Sequence, residues 1–340
     1  MQKRRDVLRA GLIVSSGLLV SDFSGPYNLG AENAQRQNSN DTVSPLSHIS
    51  KPMKKLPNHA CDCHVHIFNP EKFPYSMQRT YTPGSALVSN LLAMENQLGI
   101  ERVVLVQPSP YGKDNRALLD ALQQLGLAKA RSIVVIDPNN VTGAQLQDME
   151  SMGVRGIRLN LEINGQRDTA VASKLFKEAA SKVVHLNWLI ELYADVAVLA
   201  ALAPVINDIG CPVLLDHFAG IKVHKAAEEQ KDIETVLNAA QSGNINIKLS
   251  APYRASRNEN YADVEPLLLR MIEALPNHVV WGSDWPHTGS SESRSADLDK
   301  IEPFRNEDAG KNLNQLIRQC KDGDVDRILV SNPARIFRFE

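Results

Sequence analysis

Cysteine is scarce in this chain. Four thiols among 340 residues cannot staple a protein of this length, so a disulfide scaffold is excluded. Long apolar runs are missing too. The N-terminal stretch Gly11-Leu-Ile-Val-Ser-Ser-Gly-Leu-Leu-Val20 falls well short of the ~20 apolar residues that a membrane span needs, so no span is expected in the mature protein. Net charge is only −2 and the basic residues are scattered, which gives no reason to expect nucleic acid or an anionic membrane as partner. No glycine-rich phosphate loop follows the first strand candidate, which argues against a doubly wound nucleotide-binding sheet. Ser283 lacks the flanking pattern of a nucleophile elbow, so a serine hydrolase is disfavoured.

What is present is ordinary for a globular enzyme: 43% hydrophobic and 22% charged residues. At the N-terminus, Arg4 and Arg5 precede Val7-Leu8 and a mild apolar segment, resembling a twin-arginine export signal. Residues 1–34 are therefore expected to be the signal, with Ala31 and Ala34 as candidate cleavage points. This makes the twin-arginine translocation machinery a partner and the periplasm the destination. Residues 35–58, rich in Asn, Gln, Ser and Pro, read as a flexible tether. Residues 59–340 read as one catalytic domain.

From His59 onward, short β-branched runs alternate with amphipathic ones. Strands are expected at Ala60–His66, Arg102–Gln107, Ser132–Asp137, Val154–Asn160, Trp188–Tyr193, Pro212–His217, Ile245–Ser250 and Val279–Asp284. Helices are expected between them at Asn115–Leu125, Gly143–Met152, Ala170–Val184, Val196–Ile209, Ile233–Gln241 and Asp263–Leu275, and a helix, a break at Asn332-Pro333 and a second short helix near the end. Eight strand–helix units predict a (β/α)8 TIM barrel.

The first strand carries His64-Val-His66. Period-two alternation would place Asp62, His64 and His66 on one face and Cys61, Cys63 and Val65 on the other, with the two thiols poorly placed to bond each other. Paired imidazoles suit a metal ion or the polarisation of a carbonyl; alone, they could equally bond backbone carbonyls. Other strand ends supply partners: Ser109, Asp137, Arg158 with Asn160, Glu191 with Tyr193, Asp216 with His217, Ser250 with Arg254, and Asp284. In a barrel these ends share one face, where active sites lie. His185, His224 and His278 fall outside them and are assigned no chemistry.

His64-x-His66, Asp216-His217 and Gly282-Ser-Asp284, with the closing Asn332-Pro-Ala-Arg-Ile-Phe337, resemble the amidohydrolase superfamily across residues 59–340. Within it, Asp62-Cys-His-Val-His66, Arg79-Thr-Tyr-Thr-Pro83, Val106-Gln-Pro-Ser109, Gly153-Val-Arg-Gly-Ile-Arg-Leu-Asn160 and Lys248-Leu-Ser250 with Arg254 are most similar to the 2-pyrone-4,6-dicarboxylate lactonases and sugar-lactone hydrolases. The resemblance implies hydrolysis of a carboxylated lactone. Asp284 would activate water while His64, His66 and His217 polarise the carbonyl. Arg158 and Arg254 would hold carboxylates, and Tyr81, Ser109 and Tyr193 would be neutral donors to the ligand. An ion pair with Glu191 or Asp137 is the competing role for Arg158.

Two departures from the wider superfamily matter. Strand 4 ends in Arg158-Leu-Asn160 where a carboxylated lysine is usual, and strand 5 ends in Glu191-Leu-Tyr193 where a histidine is usual. A guanidinium cannot form the bridging carbamate and repels cations, so no metal cofactor is expected. The alternative is one divalent ion, zinc, at His64, His66 and Asp284. The arginine that dicarboxylate lactonases carry after the strand-6 histidine is absent from Phe218-Ala-Gly220, which leaves the exact lactone open. Lactone isomerisation, metal-dependent hydrolysis or decarboxylation, and non-catalytic sugar-acid binding remain as alternatives.

Overall fold

A computed structural model of the chain describes residues 48–163, 165–241, 243–289 and 294–340. The expected export signal and the first part of the tether lie outside these residues.

All eight expected strands form, each a short run with apolar residues pointing both ways because both faces of a parallel sheet are covered. They are β1 (Cys61–Val65), β2 (Arg102–Val106), β3 (Ala130–Val134), β4 (Val154–Asn160), β5 (Leu189–Tyr193), β6 (Val213–Leu215), β7 (Ile245–Ser250) and β8 (Val279–Gly282). Every neighbouring pair is parallel and the order follows the chain. The ring closes just beyond β8: His66 N donates to Trp285 O, and Asp284 N donates to His64 O, both at 2.9 Å. Gly282 permits the closure, since a Cβ there would stand 2.7 Å from the Cβ of His64.

The helices covering the strands are α1 (Val88–Leu98), α2 (Arg116–Leu125), α3 (Gly143–Met152), α4 (Thr169–Val183), α5 (Val196–Ile209), α6 (Gln230–Gln241), α7 (Glu265–Ala274), α8 (Ala309–Gln319) and α9 (Asn332–Phe337). Strand residues such as Val103, Leu105, Ile157 and Ile247 pack outward against them. Inside, Cys61, Cys63, Val104, Ile133, Leu214 and Val280 fill the lower lumen, and Phe337 with Phe339 plugs its floor. No described helix is long and apolar enough to cross a membrane.

Two expectations change. Residues 48–58, expected as tether, lie fastened to α8. Ser50 donates through N (2.9 Å) and Oγ (2.6 Å) to Asp308, Ile49 and Leu56 are buried, and Gly310 leaves room for the Ser50 carbonyl. At the C-terminus, Asn332-Pro333 does not break the chain direction. A π-helical turn at Arg327–Ser331 leads into α9, and Pro333 occupies its first turn, where no N–H donor is needed.

Candidate active site

The alternation expected along β1 does not hold. Asp62 pairs with Val103 and Val65 with Leu105, so β1 carries one residue more than β2 over this span, a β-bulge. Asp62 Oδ1 pins it by accepting from the backbone N–H groups of His64 and Ser283, each at 3.0 Å. Cys61 and Cys63 therefore face the lumen together with His64, while Asp62 turns toward Glu95 on α1. The two thiols stay free, 3.7 Å apart. Burial pushes Asp62 up to about 6 against hydrogen bonds from Ser283 and His64. Burial and the neighbouring Asp62 hold Glu95 well above the usual carboxyl range.

Beneath the histidines lies a buried ion network that fills the upper lumen. Lys248 Nζ lies 2.5 Å from Glu191 Oε2, 3.1 Å from Asp216 Oδ1 and 2.7 Å from His64 Nδ1. Arg158 donates to Asp216 at 3.1 Å, sits 3.4 Å from Glu191, and bonds the Gln107 carbonyl at 3.2 Å. Burial opposes the charge on Lys248, but Asp216 and Glu191 raise its pKa above the ordinary value. Burial, reinforced by Lys248, keeps His64 neutral.

These contacts assign ring protons. A lysine ammonium only donates, so its 2.7 Å contact favours His64 Nδ1 as acceptor with the proton on Nε2, against Asp216 Oδ1, which only accepts and lies 3.3 Å from the same Nδ1. His66 Nδ1 lies 2.8 Å from the Val106 carbonyl, which can only accept, so in the neutral ring Nε2 is the bare nitrogen. The two Nε2 atoms lie 3.2 Å apart, as donor and acceptor. The two imidazoles of β1 therefore meet each other edge to edge beneath Asp284. His217 bonds Ser250 Oγ at 2.9 Å through Nδ1, and burial lowers its pKa to about 3, so it too is neutral.

Asp284 sits above this floor, 1% exposed. Its backbone is left-handed, φ 62°, as is that of His217, φ 49°; such non-glycine conformations typically cost ~1–3 kcal/mol each and recur at functional sites. Oδ2 accepts from Tyr253 Oη at 2.6 Å and Arg254 Nε at 2.9 Å. Oδ1 has no hydrogen-bond partner and faces His64 Nε2 at 3.5 Å and His66 Nε2 at 3.4 Å. Burial pushes Asp284 upward, yet the Arg254 guanidinium holds it well below the usual carboxylate range. One oxygen is anchored and the other is free.

A pocket of about 270 Å³ opens over Asp284. Tyr81, Ser109, Arg158, Tyr193, His217 and Arg254 all line it, as does His66. His64 lies just below, fully buried. Asp137 stands apart, paired with Lys113 at 2.8 Å. Arg158 is paired, with Glu191 as the sequence allowed and with Asp216, and Arg254 is shared with Asp284. His224, set aside from the sequence, lines the pocket, and Tyr253, Thr288 and Arg294 join it. Only Tyr253 had a local signal, its place beside Arg254.

A family model described as Amidohydrolase matches residues 61–339. The chain belongs to the amidohydrolase family. It is 33% identical over 287 residues to the 4-sulfomuconolactone hydrolase of Rhizobium radiobacter, a match covering 83% of this chain and 91% of that one. It is likewise 33% identical over 248 residues to a 2-pyrone-4,6-dicarboxylate hydrolase of Comamonas testosteroni, covering 70% and 80%. A crystal structure described as a probable 2-pyrone-4,6-dicarboxylic acid hydrolase of Acinetobacter baumannii, with citric acid bound, superposes with TM-score 0.70 at 27% identity, covering 83% of this chain and all of that one.

Many amidohydrolases hold metals at this end of the barrel, and two groups of donors stand close together here. His64 Nε2, His66 Nε2 and Asp284 Oδ1 lie 3.2–3.5 Å from one another, a spacing one tetrahedral ion could span, and Asp284 Oδ1 is without a hydrogen-bond partner. The Lys248 contact on Nδ1 opposes this, since it favours the His64 hydrogen on Nε2, where an ion would need a lone pair. The other grouping, His64 with Asp216 and His217, needs the Nδ1 that Lys248 occupies. Lys248, Arg158 and Arg254 surround both groupings with fixed positive charge. The Lys248 contact and the flanking cations oppose an ion here, while Asp216 Oδ1, 3.3 Å from the same Nδ1 of His64, favours the tautomer an ion would need.

Proposed function

We propose that this amidohydrolase-family protein opens a cyclic ester bearing anionic substituents, with Asp284 as the base and no metal ion. The hydrolase relatives support the reaction class. The single observation that carries the mechanism is the split environment of Asp284: Oδ2 held by Tyr253 and Arg254, Oδ1 bare above the histidines.

Water in the pocket gives a proton to Asp284 Oδ1 as its oxygen bonds to the lactone carbonyl carbon. His217, which lines the pocket, stabilises the negative charge that develops on the carbonyl oxygen, and His64 holds His66 from beneath; removal of one such donor typically costs ~3–4 kcal/mol of barrier. The carbon–ring-oxygen bond then breaks, and the proton on Asp284 passes to the departing ring oxygen. The new carboxylic acid releases the second water proton to solvent, so the products are a carboxylate, one released proton and a hydroxyl or enol on one open chain. Lactones are activated esters, and general-base assistance of ~10²–10⁴-fold supplements those donors. Tyr81, Ser109 and Tyr193 orient the ring, and Arg254 faces its carboxylate.

The test is acid release from a panel of carboxylated lactones by wild type and by Asp284→Asn. Stoichiometric acid, lost in the variant, supports hydrolysis. Substrate consumption without acid would instead mean isomerisation.

We further propose that the protein reaches the periplasm through the twin-arginine machinery. The Arg4-Arg5 pair and the short apolar segment behind it support this. Fractionation of cells carrying the wild type and Arg4→Lys/Arg5→Lys tests it: cytoplasmic retention of the variant alone is expected, and equal export of both would contradict it.

A further inference from the structure

Helix α1 buries Leu91, Met94 and Leu98, and in the same stripe it buries Glu95, which is 2% exposed. For packing alone an apolar side chain would serve better there, because a buried carboxyl without partners is costly. Among the described residues, no amide, hydroxyl or cation lies within hydrogen-bond distance of either Glu95 side-chain oxygen, or of Asp62 Oδ2. The two carboxyls meet each other instead. Two such groups can bond only if one of them keeps its proton. Burial and Asp62 both disfavour a charge on Glu95, whereas hydrogen bonds from Ser283 and His64 favour one on Asp62. Glu95 is therefore the donor.

The other side of Asp62 faces the chemistry. Its Oδ1 accepts from His64 N and Ser283 N, each at 3.0 Å, and Asp284 N donates to His64 O at 2.9 Å. One carboxylate thus clips the bulge of β1 to the chain just beyond β8, where Asp284 stands. A carboxylate free to turn about its own bond would loosen both N–H contacts at once. A donor fixed on Oδ2 prevents that turn.

We propose that Glu95 is a positioning residue for the reaction: its carboxyl O–H donates to Asp62 Oδ2, and so holds the clip that sets His64 and Asp284 against each other. This rests on the reading of Asp284 as the base and adds what places it. Glu95 itself lies outside the pocket over Asp284 and touches no substrate.

Steady-state acid release by the full-length protein tests this, together with amide hydrogen exchange at His64 and Ser283. Glu95→Met is close in size but has no donor. It should lower kcat by about 10- to 100-fold, the span for a small misplacement remote from the chemistry, with KM changed much less. Glu95→Gln keeps a donor for Asp62 and should recover most of that loss. The two amides should exchange faster in Glu95→Met and stay protected in Glu95→Gln. Melting curves confirm folding; if Glu95→Met does not fold, Glu95→Leu takes its place. A Glu95→Met enzyme with wild-type kcat, or a Glu95→Gln enzyme as slow as Glu95→Met, overturns the proposal. A wild type that turns over no lactone would refute the hydrolase reading alone, and the exchange rates would still decide whether Glu95 holds Asp62.

Discussion

Lys248 Nζ lies 2.7 Å from His64 Nδ1, at the centre of the barrel. With Asp216 Oδ1 3.3 Å from the same nitrogen, this contact biases which nitrogen of His64 carries its proton, and so whether the first strand presents a hydrogen-bond donor or a metal ligand.

Lys248→Met should therefore damage both stability and chemistry. It leaves Glu191 and Asp216 buried with Arg158 as their only cation, a loss expected to cost ~3–5 kcal/mol in denaturant unfolding. Adding Glu191→Gln should restore part of the stability. Turnover should stay depressed by ~10²-fold in the double variant, because the His64 tautomer is still unset.

The fold was largely legible in the sequence, the site less so. Eight strands were readable because a buried parallel sheet forces short, continuous β-branched runs. Helices Val88–Leu98 and Ala309–Gln319 were missed; their apolar stripes are interrupted by polar residues that the structure buries, Glu95 and Gln315 among them. The bulge in β1 was invisible, since one inserted residue leaves composition unchanged while reversing which side chains face inward. Lys248 was hidden for a related reason: a lysine inside a strand reads as solvent-facing unless its carboxylate partners, on β5 and at the end of β6, are already known. Strand ends revealed which residues gather; they could not reveal which of them were already paired.

Tyr253→Phe removes one of the two donors on Asp284 Oδ2 without touching Oδ1. The carboxylate is then less well fixed and its pKa rises. Turnover should fall about tenfold, one hydrogen bond's worth, with KM changed much less. The acid limb of the rate profile should move to higher pH. An unchanged limb would mean that Tyr253 does not act through Asp284.

Asp284 should impose no limb on the rate profile from about pH 5 to 8: it is held well below the carboxylate range and works as the ionised base. Burial beside Asp216 raises Glu191 to about 7, so a limb there that persists in Glu191→Gln is the one to assign to a metal. His217, near 3, stays neutral throughout. A metal-bound water would instead impose an acid limb at about 7. Steady-state kcat/KM across this range distinguishes the two.

Asp62 supplies a stability prediction. Its folded pKa, about 6, lies above the unfolded value of ~3.9, so the folded state binds the proton more tightly. Its contribution is fully present below the unfolded pKa and is lost as pH rises through 6. Asp62→Asn keeps the oxygen that accepts from His64 and Ser283 but has no proton to lose. Relative to wild type, the variant should gain ~2–3 kcal/mol between pH 4 and pH 8 in denaturant unfolding. A constant difference would show that Asp62 does not titrate in the folded protein.

The central claim is that Asp284 and neutral histidines open the lactone without a metal. The most direct test is acid release measured on protein stripped by chelator, with its metal content determined on the same sample. The account predicts undiminished turnover with less than ~0.1 equivalent of any transition metal, since a true cofactor would hold near one. Loss of activity on stripping, restored by one equivalent of zinc, would contradict it and make His64, His66 and Asp284 ligands.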